Sequence, residues 1–232
     1  MWRLFAQTFI FRIYSMKYIR KDVRNEPRSL RTFQATPGAD YNGLHGSVKN
    51  DIRAVLSEEQ GFICAYCMSR IEDTPKGMEI EHFITQTRHP SSLHSEAAHK
   101  ENQLLYINML GTCHGARRCS HIRENMPLTI DPRSPSCERL IRFDKSGVAS
   151  STQPEINTDI ETLQLNKLTD QRRQVIDKAR EELKKIASKG AWNNSILDRE
   201  IERWKSLKRT RYGLAYEPYC MAAVHYLESK KT

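Results

Sequence analysis

The sequence predicts an α+β protein in which a β-hairpin and a helix surround four cysteines and a helical region follows. The cysteines form two spaced pairs, Cys64 with Cys67 and Cys113 with Cys119. Between the pairs, apolar and polar residues alternate over residues 78–84, which is the period of a strand. The C-terminal third repeats apolar residues at helical spacing. These patterns predict a ββα unit held by the cysteines, followed by helices.

Length and composition bound the organisation of the chain. Because 232 residues can bury one core with a helical appendage, we expect one or two compact units rather than a repeat array. Along the sequence we distinguish three parts. Residues 1–47 are predicted to be a basic N-terminal extension and arm, residues 48–148 the cysteine-bearing domain, and residues 149–232 a helical region that binds a partner. Within the first part, the polar segment 17–42 is expected to wrap a surface rather than to contribute to the core.

The charge balance favours a polyanionic partner. Lys and Arg number 37 against 28 Asp and Glu, which gives a formal net charge of +9. Nucleic acid is such a partner, and a solvated basic face is the alternative. Residues 1–15 are apolar in part, but Gln7 and Arg12 interrupt a segment too short and polar to span a bilayer. We therefore expect a cytoplasmic protein without membrane contact, in which the cysteines are thiols or metal thiolates.

Local patterns predict the other elements. An amphipathic helix is expected over residues 48–60, the second hairpin strand in the apolar run 104–110, and a short helix from Cys119 onward. Thr158 and Glu161 have capping-box spacing, which favours a helix start there. The remaining expectations are short strands over residues 128–132 and 140–143, and helices over residues 175–187, over residues 196–207 and after Pro218.

The two cysteine pairs have the spacing of a structural zinc site. Zinc prefers four tetrahedral thiolate or imidazole ligands, which Cys64, Cys67, Cys113 and Cys119 supply once a hairpin brings them together. From spacing alone, His114 or His121 is an alternative to Cys119 as the fourth ligand. Cys137 and Cys220 lack partners at metal spacing and are interpreted as ordinary thiols. A four-cysteine site has no open coordination position, so any catalytic centre lies elsewhere.

A carboxylate directly precedes a histidine at the end of the first predicted strand. Hydrolysis of a phosphodiester needs a base for the attacking water and a cation that neutralises charge on the phosphate. His82 is suited to be the base because the ordinary histidine pKa of about 6.5 leaves it largely neutral near pH 7. Glu81 is suited to hold the cation. The other histidines of this region, His89, His94 and His99, are expected to be exposed loop residues.

These residues together resemble the HNH endonuclease motif. The resemblance is carried by Glu81-His82, by Asn108 and by the four cysteines around them. It implies a zinc-stabilised ββα-metal nuclease core, with His82 as general base, Glu81 as a ligand of a catalytic Mg²⁺ or Mn²⁺, and Asn108 either orienting the histidine or steadying the loop. It implies an enzyme, an endonuclease that hydrolyses nucleic-acid phosphodiester bonds.

The third motif position departs from the family pattern. Ser120 directly follows the last cysteine, where the family often has His, Asn or Asp, and His121 comes one residue later. We expect His121 to be the second cation ligand and a catalytic residue, with Asn125 as the alternative ligand, although one helical residue turns a side chain by about 100°. Arg117, Arg118 and Arg123 are expected to bind substrate, because a guanidinium can contact phosphate oxygens in a bidentate manner.

A narrower resemblance concerns the order of four short motifs. The runs C-A-Y-C, M-E-I-E-H-F, N-M-L-x-x-C-x-G and L-T-I-D-P are similar to those of the PtuB nucleases, effectors of Septu anti-phage defence in bacteria. This resemblance implies a PtuA-type ATPase as partner. In related retron systems it also implies a reverse transcriptase with its msDNA.

Two rival hypotheses use the same residues. A zinc-ribbon module binds nucleic acid without cutting it and has no need of the Glu81-His82 pair. A ribonuclease that acts on a structured RNA such as tRNA would use the same constellation, because the chemistry takes place at a phosphate that DNA and RNA share. The nucleic-acid substrate is therefore DNA or tRNA at this point.

Overall fold

The computed structural model describes residues 16–115, 119–187, 190 and 192–231. Within them the chain forms helices and three small two-stranded antiparallel sheets, so the predicted α+β class is confirmed. The helices are α1 (Arg28–Gln34), α2 (Gly46–Glu59), α3 (Glu96–Asn102), α4 (Cys119–Arg123), α5 (Pro154–Thr162), α6 (Thr169–Ala187), α7 (Asn194–Lys205) and α8 (Cys220–Glu228). The strands are β1 (Met78–His82), β2 (Met109–Cys113), β3 (Arg142–Phe143), β4 (Ala149–Ser150), β5 (Lys208–Thr210) and β6 (Gly213–Ala215).

The central hairpin joins β1 to β2 and positions the residues of interest. Met78 lies opposite Cys113 at one end of the ladder, and His82 lies opposite Met109 at the other. Helix α2 packs against both strands through its apolar face, on which Ile52 and Leu56 are fully buried. The helix ends where Gly61 adopts a φ of +56°, as its position in the sequence predicted.

The side chain of Gln60 ties the end of α2 to the hairpin. Its amide nitrogen donates to the carbonyl oxygens of Ile63 and Gly111 at 2.8 Å each, and its amide oxygen accepts from the Gly111 nitrogen at 2.6 Å. A Cβ at Gly111 would lie 2.5 Å from the terminal methyl group of Met78, so a larger residue there would require the Met78 side chain to move. The buried amide of Gln60 therefore fixes the position of the hairpin relative to the end of α2.

The segment before α2 contributes to the core, which corrects the expectation of a surface arm. Met16, Ile19 and Leu30 are buried, and the Ile19 nitrogen donates to the Pro132 carbonyl at 2.9 Å. These apolar residues are separated by charged ones and follow no helical or strand period in the sequence. Each of them nevertheless packs into the core formed by other elements. The buried cluster includes residues from all three predicted parts of the chain, whose boundaries at 47 and 148 stay predictions.

The C-terminal region is mainly helical, as predicted. Helix α8 packs against α6 and α7 and is buried along most of its length, with Trp204 of α7 also in the core. Arg172 of α6 is buried as well and donates to the Gly147 carbonyl at 2.8 Å and to the Leu165 carbonyl. The β5–β6 hairpin was not predicted. No helix among the described residues is long and apolar enough to span a bilayer.

Three local expectations were wrong. Residues 128–132 form no strand, because the Thr129 and Ile130 nitrogens donate to the buried Asp159 carboxylate at 2.8 and 2.7 Å instead of to a neighbouring strand. Thr158 is inside α5 rather than at its start, since the helix begins at Pro154. The second hairpin strand starts only at Met109, after a 3-10 turn over Tyr106–Asn108.

Candidate metal centre and catalytic cluster

The four predicted zinc ligands form one cluster. Cys64, Cys67, Cys113 and Cys119 are all buried, and their sulfur atoms lie within 4.8 Å of one another. Four sulfurs at about 2.3 Å from a tetrahedral zinc lie about 3.8 Å apart, and the Cys67 and Cys113 sulfurs are 3.8 Å apart. The donor set therefore fits a structural zinc ion.

Backbone hydrogen bonds shape the first cysteine pair. The Met68 nitrogen donates to the Cys64 carbonyl at 3.0 Å, and the Cys64 nitrogen donates to the Ser69 carbonyl at 2.8 Å, which closes a tight turn around both sulfurs. Met68 occupies the left-handed region with a φ of +62°. The Ala65 nitrogen reaches across to the Gly111 carbonyl at 3.0 Å, so the turn is anchored on β2.

The second pair comes from the end of β2 and the start of α4. Cys119 completes the cluster, whereas His114 is half exposed and its Nδ1 lies 3.2 Å from the Glu79 carboxylate. Hydrogen bonds from Cys119, Cys64 and Cys67 lower the pKa of the Cys113 thiol, which favours a thiolate ligand. A cavity of about 360 Å³ separates the cluster from the start of α6 and is lined on that side by Lys167, Leu168 and Gln171, among others.

Glu81 is held in a buried network. Its Oε1 accepts hydrogen bonds from the Arg123 guanidinium and, at 3.3 Å, from the Tyr66 hydroxyl, while its Oε2 accepts one from the Ser120 hydroxyl. Burial raises the pKa of Glu81, and the charge of Arg123 and the hydroxyl donors oppose that rise. Both carboxylate oxygens are thus occupied by protein donors.

Arg123 is a structural residue, which corrects its predicted role in binding substrate phosphate. Its side chain is fully buried and donates to the carbonyl oxygens of His82, Phe83 and Met126 at 3.2, 2.6 and 2.7 Å. Glu81 and Tyr66 are further partners, and the buried guanidinium is inaccessible to a ligand. Short-range sequence patterns do not register such burial. The other two predicted phosphate contacts, Arg117 and Arg118, lie outside the described residues.

His82 is buried and neutral at the end of β1. Its Nε2 lies 2.9 Å from the Gln103 carbonyl oxygen, which can only accept, so Nε2 carries the proton. The lone pair is then on Nδ1, which accepts from the Gln86 amide nitrogen at 3.1 Å. Burial lowers the pKa of His82 to about 4. The ring edge packs on Tyr41, with a centroid separation of 4.5 Å.

Asn108 steadies the loop after β1. Its Oδ1 accepts from the Ile84 nitrogen at 2.8 Å, and its Nδ2 donates to the carbonyl oxygens of Ile84 and Asn102 at 2.9 and 3.0 Å. The Phe83 nitrogen in turn donates to the Asn108 carbonyl at 2.9 Å. Of the two roles left open by the sequence, this geometry favours support of the loop, because the described hydrogen bonds of the Asn108 amide go to Ile84 and Asn102 and none of them to the His82 ring.

The residue of α4 that contacts Glu81 is Ser120, and the place of His121 as a cation ligand stays a prediction. Ser120 contacts the Glu81 carboxylate, whereas His121, one residue further along α4, is exposed. Among the described residues, the four cysteines are the one group of three or more metal-ligating side chains with mutually close donor atoms. Both Glu81 carboxylate oxygens already accept hydrogen bonds from protein donors, and the catalytic cation stays a prediction.

No protein-family model matches this chain, and no curated protein is significantly similar to it. The HNH and PtuB resemblances therefore rest on the motifs quoted above.

Several residues around His82 were not anticipated from the sequence. Tyr41, Gln86 and Gln103 contact the imidazole from three separate segments of loop, where no periodic pattern marks them. His99 is buried rather than exposed, because its Nε2 lies 3.0 Å from the Ser92 hydroxyl and its Nδ1 contacts the Thr85 carbonyl. It helps to fix the loop that follows β1, and the helix α3 that carries it was not predicted from the sequence.

Proposed function

We propose that this chain is an endonuclease of the HNH type that hydrolyses nucleic-acid phosphodiester bonds. The observation that carries the proposal is the state of His82, whose proton is held on Nε2 by the Gln103 carbonyl while Nδ1 keeps a lone pair. A neutral histidine oriented by a backbone acceptor is suited to general-base catalysis. The antiparallel hairpin, the short helix α4 and the four-cysteine cluster support the same assignment.

In the proposed reaction, His82 removes a proton from water and the resulting hydroxide attacks phosphorus. The bond from phosphorus to one ester oxygen breaks, and that oxygen leaves with a proton taken from solvent. Nδ1 is the atom that receives the proton from the attacking water, so this water takes the place of the Gln86 amide. Asn108 contributes by holding the loop at residues 83–84 that follows the histidine.

Two metals enter the proposal in different ways. Zinc at the four cysteines would stabilise the fold and, with its coordination closed, would take no part in the reaction. The resemblance also implies a catalytic Mg²⁺ or Mn²⁺. Because the Glu81 carboxylate is paired with Arg123, no step is assigned to that cation.

The biological role is proposed from the PtuB resemblance. The chain would be the toxic effector of a bacterial anti-phage complex in the cytoplasm, controlled by a PtuA-type ATPase and, in retron-type systems, by a reverse transcriptase with msDNA. The helical region 149–232 is the proposed partner surface, because the catalytic face at the end of β1 has to stay free for nucleic acid.

Cleavage assays test the enzyme directly. The full chain, purified with its ATPase partner, would be incubated with supercoiled DNA and with total tRNA, with Mg²⁺, with Mn²⁺ and without added cation. We expect one substrate to be cut by the wild type and by a His89→Ala control, and to survive His82→Ala. Cleavage that persists after His82→Ala contradicts the proposal. The product ends separate the substrates further, because only RNA can give a cyclic phosphate.

A non-catalytic zinc-ribbon subunit is the second candidate. It is favoured by the burial of His82, which is 5% exposed and has both ring nitrogens occupied, and by the Arg123 pairing of Glu81. Binding of nucleic acid without cleavage in every cation condition would support this candidate over the enzyme.

A further inference from the structure

We propose that Tyr41, Lys49 and Arg53 form a binding site for the phosphodiester backbone of nucleic acid beside His82. We call these three residues the Tyr41 cluster. The inference rests on the proposed function and assigns the substrate contacts of that same site, a role for which the sequence had offered Arg117, Arg118 and Arg123.

The cluster is contiguous with the candidate base. The Tyr41 and His82 rings meet edge to face at 4.5 Å between centroids. The Lys49 ammonium lies over the Tyr41 ring, 4.8 Å from its centroid. Arg53 follows Lys49 by four residues, so both project from one face of α2. The phenol is therefore in contact with the imidazole that would activate water, one cation lies over the phenol, and the second cation is one helical turn further along α2.

The hydrogen-bonding capacity of the cluster is largely unused. Within the described residues, no carboxylate forms an ion pair with Lys49 or Arg53, whereas Lys21, Arg24 and Arg31 of the preceding segment each pair with an acid. The Arg53 guanidinium donates to the Asn50 side chain at 3.0 Å, and its buried Nε has no described partner. No described residue hydrogen-bonds to the Tyr41 hydroxyl. An anionic ligand would pair with the Lys49 ammonium, the terminal Arg53 nitrogens and the Tyr41 hydroxyl, whereas the buried Arg53 Nε is closed to solvent.

The chemistry of the donors matches a phosphate. An ammonium, a guanidinium and a phenolic hydroxyl all donate hydrogen bonds, which the oxygens of a phosphate accept. Burial raises the pKa of Tyr41 to about 12, so its hydroxyl keeps its proton near neutral pH. Backbone phosphates are shared by DNA and RNA, and the cluster accordingly fits either polymer through this common group.

The test measures binding separately from cleavage. Fluorescence anisotropy would follow a labelled DNA duplex and a labelled tRNA against the full chain without added divalent cation, over a range of salt concentrations. The variant is Lys49→Gln with Arg53→Gln. The matched control is Arg139→Gln with Lys145→Gln, which removes the same charge from exposed residues outside α2 that have no described acid partner.

We expect the cluster variant to bind about tenfold more weakly at 0.1 M salt and to lower the slope of log K against log salt by about 2. The control should match the wild type in slope. Tyr41→Phe, which keeps the ring against His82, should weaken binding by about two- to threefold. Far-UV circular dichroism of each variant would establish that the helix α2 is intact.

The outcomes separate this inference from the proposed function. Equal losses in the cluster variant and the control would overturn the inference, and so would unchanged binding by the cluster variant. If cleavage still depends on His82 under either of these two outcomes, the proposed nuclease function stands and only the phosphate site at the Tyr41 cluster is rejected. Absence of wild-type binding to both polymers would overturn the inference together with the nucleic-acid substrate.

Discussion

The Glu81 carboxylate and the Arg123 guanidinium form a salt bridge in which the two side chains are 8% and 0% exposed. The pair joins the end of β1 to α4 and holds the backbone that follows His82, through the hydrogen bonds from Arg123 to the carbonyl oxygens of His82 and Phe83. The residue expected to hold a cation therefore already has a positive partner supplied by the protein.

Removing the charge of Glu81 should destabilise the fold strongly. Glu81→Gln leaves a buried guanidinium without its counter-ion, which typically costs about 3–5 kcal/mol. Urea unfolding of the zinc-loaded protein would measure the change. Glu79→Gln is the matched control, because Glu79 is on the same strand but is 31% exposed, and we expect it to cost less than about 1 kcal/mol. Equally small losses for both variants would mean that the buried Glu81–Arg123 pair does not stabilise the fold.

Substitutions of Ser120 and His121 should have different effects, which tests which of these two α4 residues acts at the Glu81 carboxylate. Ser120→Ala removes a hydrogen bond to the Glu81 carboxylate and should cost about 1–3 kcal/mol of stability. His121→Ala removes an exposed side chain and should change stability by less than about 0.5 kcal/mol and leave cleavage unchanged. Loss of cleavage in His121→Ala at unchanged stability would support His121 as a cation ligand.

The free energy of unfolding should decrease as the pH is lowered, because His82 becomes protonated. Its pKa of about 4 in the folded state is lower than the ordinary value of 6.5 of the unfolded chain, so the unfolded state binds the extra proton first. The contribution of neutral His82 to the free energy of unfolding is complete above about pH 6.5. It is lost as the pH falls toward 4, by about 3 kcal/mol in total. Unfolding free energies of wild type and His82→Gln would be compared from pH 7 to pH 4. A pH-independent difference would contradict the low pKa.

Asn108 should affect activity through the loop. Asn108→Asp keeps the acceptor for the Ile84 nitrogen but loses both donors and places a charge near two carbonyl oxygens. We expect a loss of about 2–4 kcal/mol in stability together with weaker cleavage. Chemical unfolding and cleavage rates would be measured on the same preparation. A fall in cleavage at wild-type stability would instead indicate a direct catalytic role.

The cysteine cluster should be distinguishable from the remaining thiols by its zinc. Cys64→Ser should reduce the bound zinc well below one equivalent and destabilise the fold by several kcal/mol, because metal binding contributes directly to folding. Cys137→Ser, at a buried thiol outside the cluster, should retain zinc. Elemental analysis after gel filtration and thermal melts would compare the two. Full zinc content in Cys64→Ser would exclude this cysteine as a ligand.

Much of the framework could be predicted from local patterns. The spacing of the cysteines predicted the four members of the cluster, and alternation over residues 78–84 predicted a strand that stops at His82. Helical periodicity predicted α7 and α8 to within two residues and α6 from residue 175 onward, although that helix begins at Thr169. These features depend on neighbours a few positions away, which is the range over which backbone geometry repeats.

The tertiary structure alone decided what surrounds His82. Arg123 is buried because it lies against Glu81, 42 residues earlier in the chain, and Ser120 rather than His121 faces the carboxylate because of the rotation of α4 against the hairpin. Tyr41 reaches the imidazole from a separate loop. Such contacts join segments with no common period, so they depend on how the elements pack. The sequence by itself determined the four clustered cysteines and the strand that carries the histidine, and packing determined which charged side chains are buried and which stay exposed.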